Sequence, residues 1–269
     1  MTGKIKTKLT GVPETLLIST HARYMETKRP NGIIHDPKTV EILDAIDYDF
    51  SGAKEVSEGS QVGTSIRTEI LDEQTLAFLK KHPNGMVVNL GCGLDTRFSR
   101  LDNGTVMWYD LDVPETIDLR KNFFRESEHY RFIAKSVLDC SWMDRLPADQ
   151  PTLFIAEGLL MYFSETEVKT ILQAIAARFS NAEFLIEGMS PFAARNSNKH
   201  PDVKKYNATF KWGIKTGEEI NAWNIGLEFV QEWYYFDRHK DRASLFLRIM
   251  CWIPAFRKIM KIIHLKTIR

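Results

Sequence analysis

No apolar run in this chain approaches the ~20 residues that cross a bilayer, so no membrane-spanning helix is expected. Cysteine is scarce. Cys92, Cys140 and Cys251 show no metal-ligand spacing, and an odd count fits a reducing compartment better than a disulfide framework. A dominant charge is missing too: a net +1 lacks the basic excess of a dedicated nucleic-acid binder. The opening Met1-Thr2-Gly3-Lys4-Ile5-Lys6 has no apolar h-region, so no secretory leader is expected. No internal repeat or low-complexity tract appears. These absences leave a soluble cytoplasmic enzyme with neither nucleic acid nor membrane as partner. At 269 residues and 43% apolar content, the chain can bury one sizeable α/β core.

The chain is organised around Met86-Val87-Val88-Asn89-Leu90-Gly91-Cys92-Gly93-Leu94-Asp95-Thr96-Arg97, an apolar run that ends in a Gly-x-Gly turn. Such a turn opens a nucleotide crevice at the carboxyl end of a strand, because glycine lets the backbone bend sharply and a ligand approach closely. A dinucleotide fingerprint would need a third glycine where Thr96 stands. A phosphate-binding Walker loop would need a lysine and a hydroxyl residue that are absent. What remains suits a nucleoside ligand such as S-adenosylmethionine. An acidic residue at the end of the next strand would meet the ribose hydroxyls, since a carboxylate can accept from both at once. Asp112, 19 positions after Gly93, has that offset, and Asp110 is its rival one pleat earlier.

Residues 1–82 read as a helical cap, with helical spacing over Pro13 to Arg29 and over Ile66 to Lys80. Strands are expected at 86–90, 105–110, 130–135, 151–157, 182–188, 228–236 and 259–268. Helices are expected at 114–127, 165–179, 218–225 and 241–250. The alternation is that of a mostly parallel sheet covered on both faces. Ser164 with Glu167 forms a capping-box signature at the start of one helix. Pro191 to Trp212 lacks periodicity, which marks a lid or binding loop at about 190–215. The last 28 residues hold seven Lys or Arg and no Asp or Glu. With Leu245, Phe246, Ile249, Met250 and Trp252 they could form a membrane-surface helix, but Pro254 interrupts it. A helix on the core followed by a final strand is the preferred reading.

Four segments together resemble the leucine carboxyl methyltransferase family, which includes bacterial polyketide-type O-methyltransferases. They are Gly63-Thr64-Ser65-Ile66-Arg67-Thr68, Asn89 to Arg97, Trp108-Tyr109-Asp110-Leu111-Asp112-Val113-Pro114, and Ala156-Glu157-Gly158-Leu159-Leu160-Met161-Tyr162. Arg23 and the Asp36-Pro37 pair are similar to the family's amino-terminal segment. The resemblance spans roughly residues 14–190. It implies a single Rossmann-like class I methyltransferase domain: a seven-stranded, mostly parallel sheet with an antiparallel last strand, beneath the amino-terminal helical cap. It also implies S-adenosylmethionine across the strand ends, Gly91 and Gly93 in the turn, and Asp112 rather than Asp110 on the ribose. Arg67 would hold the donor's carboxylate through its planar fork, with Arg23 a weaker candidate for the same end. Glu157 would face the donor's amino group, with a salt bridge to an arginine as the alternative. One departure affects the adenine. The family's Asp-Leu pair after the third strand is replaced by Val137 and Leu138, leaving backbone contacts or a shifted Asp139.

A carboxylate acceptor is already ionised at neutral pH, because carboxyl pKa values lie near ~4, so no catalytic base is required and none is nominated. A phenolic acceptor, with a pKa near ~10, would need one, from His21, His35 or His200. Phe192, Tyr206, Phe210 and Trp212 could cover an aromatic or acyl acceptor. The expected activity is therefore methyl transfer to a carboxylate or hydroxyl of a small molecule. The alternatives are methylation of a protein's carboxyl terminus and a catalytically silent nucleoside-binding regulator. Arg67→Ala and Asp112→Ala are each expected to weaken donor affinity without unfolding the protein.

Overall fold

A computed structural model describes residues 4–6, 9, 11, 13–50, 56–197, 209–242 and 245–268, the side chains of 245–247 excepted. In chain order, short strand β1 (Ile5–Lys6) precedes α1 (Leu16–Thr27), α2 (Pro37–Ala45), short strand β2 (Ile46–Asp47) and α3 (Glu58–Lys81). The alternating part follows with β3 (Met86–Leu90), α4 (Arg97–Leu101), β4 (Met107–Asp112), α5 (Pro114–Arg120), β5 (Tyr130–Ala134), β6 (Thr152–Ala156), α6 (Glu165–Arg178), β7 (Ala182–Met189) and α7 (Pro191–Arg195). Strand β8 (Leu227–Tyr234) and strand β9 (Met260–Thr267) complete the larger sheet.

That sheet has seven strands in the order β5-β4-β3-β6-β7-β9-β8. Pairing is parallel from β5 through β7, while β9 runs antiparallel to both β7 and β8. The expected parallel sheet with an antiparallel final strand is therefore what the chain forms.

Strand alternation divides the core in two. On β3, Met86, Val88 and Leu90 face one cluster and Val87 the other; on β6, Phe154 and Ala156 oppose Leu153 and Ile155 in the same way. Helix α6 covers the first face with Val168, Ile171, Leu172 and Ile175. Its start is fixed by the expected capping box, with the Ser164 hydroxyl accepting from the Glu167 amide and the Glu167 carboxylate accepting from the Ser164 amide. Helix α3 covers the second face with Ile66, Ile70, Leu71, Phe78 and Leu79, joined there by Leu17 and Ile42 of the cap.

Several expected boundaries move. The 105–110 strand lies at Met107–Asp112, which makes Asp112 the last residue of the strand. The 114–127 helix stops at Arg120, and 218–225 is a 3-10 helix, Gly217–Trp223. Residues 241–250 divide into a 3-10 turn at Lys240–Arg242 and a helix at Leu245–Met250. Helix α2 went unread because nine residues offer little periodicity; Asp36 caps it by accepting from the Thr39 amide, with Pro37 at its first position. Much of the expected lid, including His200 and Tyr206, lies outside the described residues. Among the described residues no helix is long and apolar enough to cross a membrane.

Candidate functional site

Beyond Leu90 the chain turns through two residues with positive φ, Gly91 at 65° and Gly93 at 50°. The positive φ of Gly91 favours glycine there, and a Cβ would also stand 2.6 Å from the Cδ1 of Leu159, so that side chain would have to move. The Cys92 amide donates to the Leu111 carbonyl at 3.0 Å, which ties the turn to the end of β4. There the Asp112 carboxylate accepts from the Gly93 amide at 2.8 Å and from the Val113 amide at 2.7 Å. Burial raises the Asp112 carboxyl above the ordinary range, although these amides oppose the rise. Asp110, on the same strand face, is wholly buried. It pairs with Arg120 and accepts from the Trp108 indole at 3.1 Å and from the Tyr130 hydroxyl, so it serves the core. Of the two rivals, only Asp112 lines the cavity.

That cavity, of about 1660 Å³, exceeds the ~300–1000 Å³ typical of a single small-molecule site. It has room for a donor and an acceptor side by side. Gly91, Gly93 and Asp112 line one part. Met161, Tyr162, Met189, Phe210 and Met260 form an apolar wall elsewhere. Arg67, Glu157 and Glu187 also face the cavity.

Arg67 projects from α3 and spans two carboxylates, its Nη2 lying 2.8 Å from Glu157 and its Nη1 2.8 Å from Glu187. Glu157 follows the apolar strand β6 and also accepts from the Arg97 Nη2 at 2.8 Å. Burial opposes ionisation of Glu157, but Arg67 and Arg97 outweigh it and hold the carboxyl well below the usual range. The salt-bridge alternative for Glu157 is thus present, and the same carboxylate still reaches the cavity. The Nε of Arg67 is buried without a hydrogen-bond partner among the described residues. Arg97 is fully buried and additionally engages Asp72 and Asp95, which anchors the cluster to α3 and to the glycine loop.

Glu187, near the end of β7, escaped the sequence reading. It accepts from the Gly158 amide at 2.7 Å and from the Tyr235 hydroxyl at 2.8 Å, besides Arg67. The signal was available: Glu187 closes the apolar run Phe184-Leu185-Ile186 just as Glu157 closes its own.

The other candidates divide. Leu138 lines the cavity with Ser136, whereas Val137 and Asp139 do not. The Val137 side chain is buried and its carbonyl accepts from Trp142; Asp139 caps the turn at Cys140 by accepting from the Ser141 amide at 3.1 Å and pairs with Lys135. Asp139 thus acts as a local cap away from the cavity lining. Arg23 lines the cavity while bonded to the Leu94 carbonyl and paired with Asp36. Neither His21 nor His35 borders the cavity; His21 stacks on Phe50 with ring centroids 4.2 Å apart. Phe210 lines the cavity, Phe192 is exposed, and Trp212 is core. Trp252 and Ile249, from the basic carboxyl-terminal segment, lie exposed on the cavity's rim.

Comparison with known proteins points the same way. The family model for leucine carboxyl methyltransferase matches residues 16–176. The chain is 34% identical over 231 residues to the tetracenomycin polyketide synthesis O-methyltransferase TcmP of Streptomyces glaucescens, covering 86% of this chain and 85% of that protein. It is 27% identical to the S-adenosyl-L-methionine-dependent methyltransferase dpfgK of Gibberella zeae, with 93% of each chain covered. Among solved structures, a DUF574-family protein of Streptomyces avermitilis superposes with a TM-score of 0.63 at 12% identity, over 94% of this chain and 97% of that one. At that identity the likeness speaks for the fold alone.

Proposed function

The chain belongs to the leucine carboxyl methyltransferase family, and from that premise we propose that it transfers a methyl group from S-adenosylmethionine to a carboxylate of a small molecule. The carrying observation is one cavity bordered by the Gly91–Gly93 turn, Asp112, Arg67 and Glu157. These residues fit the donor. Asp112 keeps acceptor capacity beyond its two amides, enough for ribose hydroxyls. Arg67 has a buried Nε–H with no partner among the described residues, beside arms that border the cavity and suit an anionic group, and Glu157 is an ionised partner for an ammonium. Leu138 and the backbone of 136–138 would border the adenine, without a side-chain bond from Val137 or Asp139. The cap (1–82) and the core (83–269) would act as one domain, since Leu17 and Ile42 share a buried cluster with Val87 and Leu153. Of the expected lid at about 190–215, the described residues Ala193, Asn196, Ser197, Phe210 and Lys211 border the cavity and would face the acceptor.

When bound, the donor supplies a methyl carbon activated by a sulfonium. The protein's part is to bind, orient and dry the site. The wall of Met161, Tyr162, Met189, Phe210 and Met260 excludes water from the acceptor side, which strengthens every charge interaction inside. Holding two reactants in line removes much of the entropic barrier without any proton transfer. The carboxylate reading rests on ionisation: a carboxylate is already deprotonated at neutral pH and needs no base. Among the described lining residues His239, whose Nε2 lies 2.9 Å from Glu69, is the imidazole that a hydroxyl acceptor would require as its base. Lys211, Lys240 and Arg248, also on the lining, suit an anionic acceptor.

Incubation with methyl-labelled donor and three acceptor panels tests this: small carboxylic acids, phenols, and peptides with a free carboxyl terminus. The expected product is a methyl ester of a small acid, recognised by release of methanol in mild alkali. An alkali-stable ether would assign the hydroxyl reading, and labelling confined to peptides would assign the protein-directed one. Tight donor binding with no product from any panel would indicate the silent regulator.

A further inference from the structure

Glu187 carries three hydrogen bonds that the binding roles above do not require. Its Oε2 accepts from the Arg67 Nη1 at 2.8 Å and from the Gly158 amide at 2.7 Å, while its Oε1 accepts from the Tyr235 hydroxyl at 2.8 Å. Glu187 is 2% exposed and Tyr235 4%, so these donors meet the carboxylate in a largely desolvated setting. Burial and the neighbouring carboxylates keep the Tyr235 phenol protonated, hence a donor throughout the neutral range.

Tyr235 also begins a segment that is pinned to the cap. Arg238 donates to Glu69 at 2.9 Å and to Glu73 at 2.6 Å, both on α3. Arg242 donates to Glu26 of α1 at 2.7 Å. The segment borders the cavity from Tyr235 to Lys240.

We infer that Tyr235 and Glu187 are positioning residues for the donor's amino-acid end. Tyr235 fixes the Glu187 carboxylate, and Glu187 in turn fixes the orientation of the Arg67 fork. The inference rests on the proposed assignment of Arg67 to the donor carboxylate. Its physical basis is the planarity of a guanidinium. Glu157 and Glu187 each hold one arm, and together they define the plane in which the unpartnered Nε–H points. With only Glu157 in place, the fork could pivot about a single contact. Removing the Tyr235 hydroxyl leaves Oε1 without a buried donor and frees the Glu187 carboxylate to turn.

The test compares two ligands on Tyr235→Phe. S-adenosylhomocysteine has the amino-acid end; 5′-methylthioadenosine has the same nucleoside and thioether without it. Losing one hydrogen bond predicts a weakening of S-adenosylhomocysteine by about three- to tenfold. Affinity for 5′-methylthioadenosine should stay within about twofold, with the thermal midpoint close to wild type. Glu187→Gln, which keeps the shape and removes the charge, should show the same selectivity if Tyr235→Phe proves unstable. Equal weakening of both ligands, or of neither, would overturn the inference while leaving the methyltransferase reading intact. Failure of wild-type protein to bind S-adenosylhomocysteine would instead remove the reading on which the inference rests.

Discussion

Asp112 receives a hydrogen bond from the amide of Gly93, 2.8 Å away, although the two residues stand 19 positions apart. The contact joins the glycine turn after β3 to the tip of β4 and fixes a carboxylate on the cavity wall through the protein's own hydrogen bonds. Preorganisation of this kind reduces the ordering that binding must impose.

The raised Asp112 carboxyl predicts a pH effect on donor affinity. Ribose hydroxyls donate to the ionised form, so binding favours the deprotonated carboxylate. Affinity should be constant at high pH and fall as pH drops through the Asp112 pKa. The midpoint should lie above the ~3.9 of an ordinary aspartate. Titrations with S-adenosylhomocysteine from neutral to acid pH check this; a fall only below the ordinary value would argue against it.

Arg67→Ala is expected to lower stability as well as donor affinity. The sequence alone led to an affinity loss with the fold intact, but the guanidinium stands between two buried carboxylates, Glu157 and Glu187. Removing one member of a buried ion pair costs about 3–5 kcal/mol. Urea unfolding should show a loss of that order, smaller for Arg67→Lys, which keeps the charge. A substitution neutral in stability would mean that the carboxylates find other partners.

Lys261 offers a stability test remote from the chemistry. It is wholly buried on β9, donates to the Ile214 carbonyl at 3.1 Å and to the Lys215 carbonyl at 2.7 Å, and burial pushes its pKa down to about 8. Between about 8 and the ordinary value near 10.5, the unfolded chain binds a proton that the folded chain does not. Stability from this group therefore rises with pH across that window, and it is lost as pH falls through 8. Relative to Lys261→Met, the wild type should gain on the order of 2 kcal/mol between pH 8 and 10.5. Parallel pH profiles for the two proteins would contradict the assignment.

Gly91→Ala should destabilise by about 1–2 kcal/mol through its left-handed backbone alone. The approach to Leu159 adds to this, tempered by movement of the leucine's tip. Loss of donor affinity should accompany the drop in thermal midpoint, because the turn carries the Gly93 amide. A variant with unchanged affinity would separate the turn from the site.

Much of this site was legible in the sequence where a residue's role follows from its place on a strand. Met86–Leu90 reads as a strand because its run is apolar and bounded by turn residues; the offset from the turn points to Asp112 or its rival Asp110, and the family resemblance decides for Asp112. Glu157 stood out as a carboxylate closing an apolar strand. Glu187 closes another and was passed over, because nothing local says that a residue 120 positions away supplies its partner. The same limit hid Tyr235, whose partner lies 48 positions back. Helix boundaries failed where tertiary packing decides them, as at α5. The replaced adenine aspartate was legible as a departure, yet only the fold shows Asp139 committed to capping Ser141.

Calorimetric titration of wild type and Asp112→Ala with S-adenosylhomocysteine tests the central assignment most directly. Loss of hydrogen bonds to a charged group, about 1.5–3 kcal/mol, predicts roughly ten- to a hundredfold weaker binding in the variant, with its unfolding transition still cooperative. Equal affinity in the two proteins would contradict the assignment of this cavity to the methyl donor.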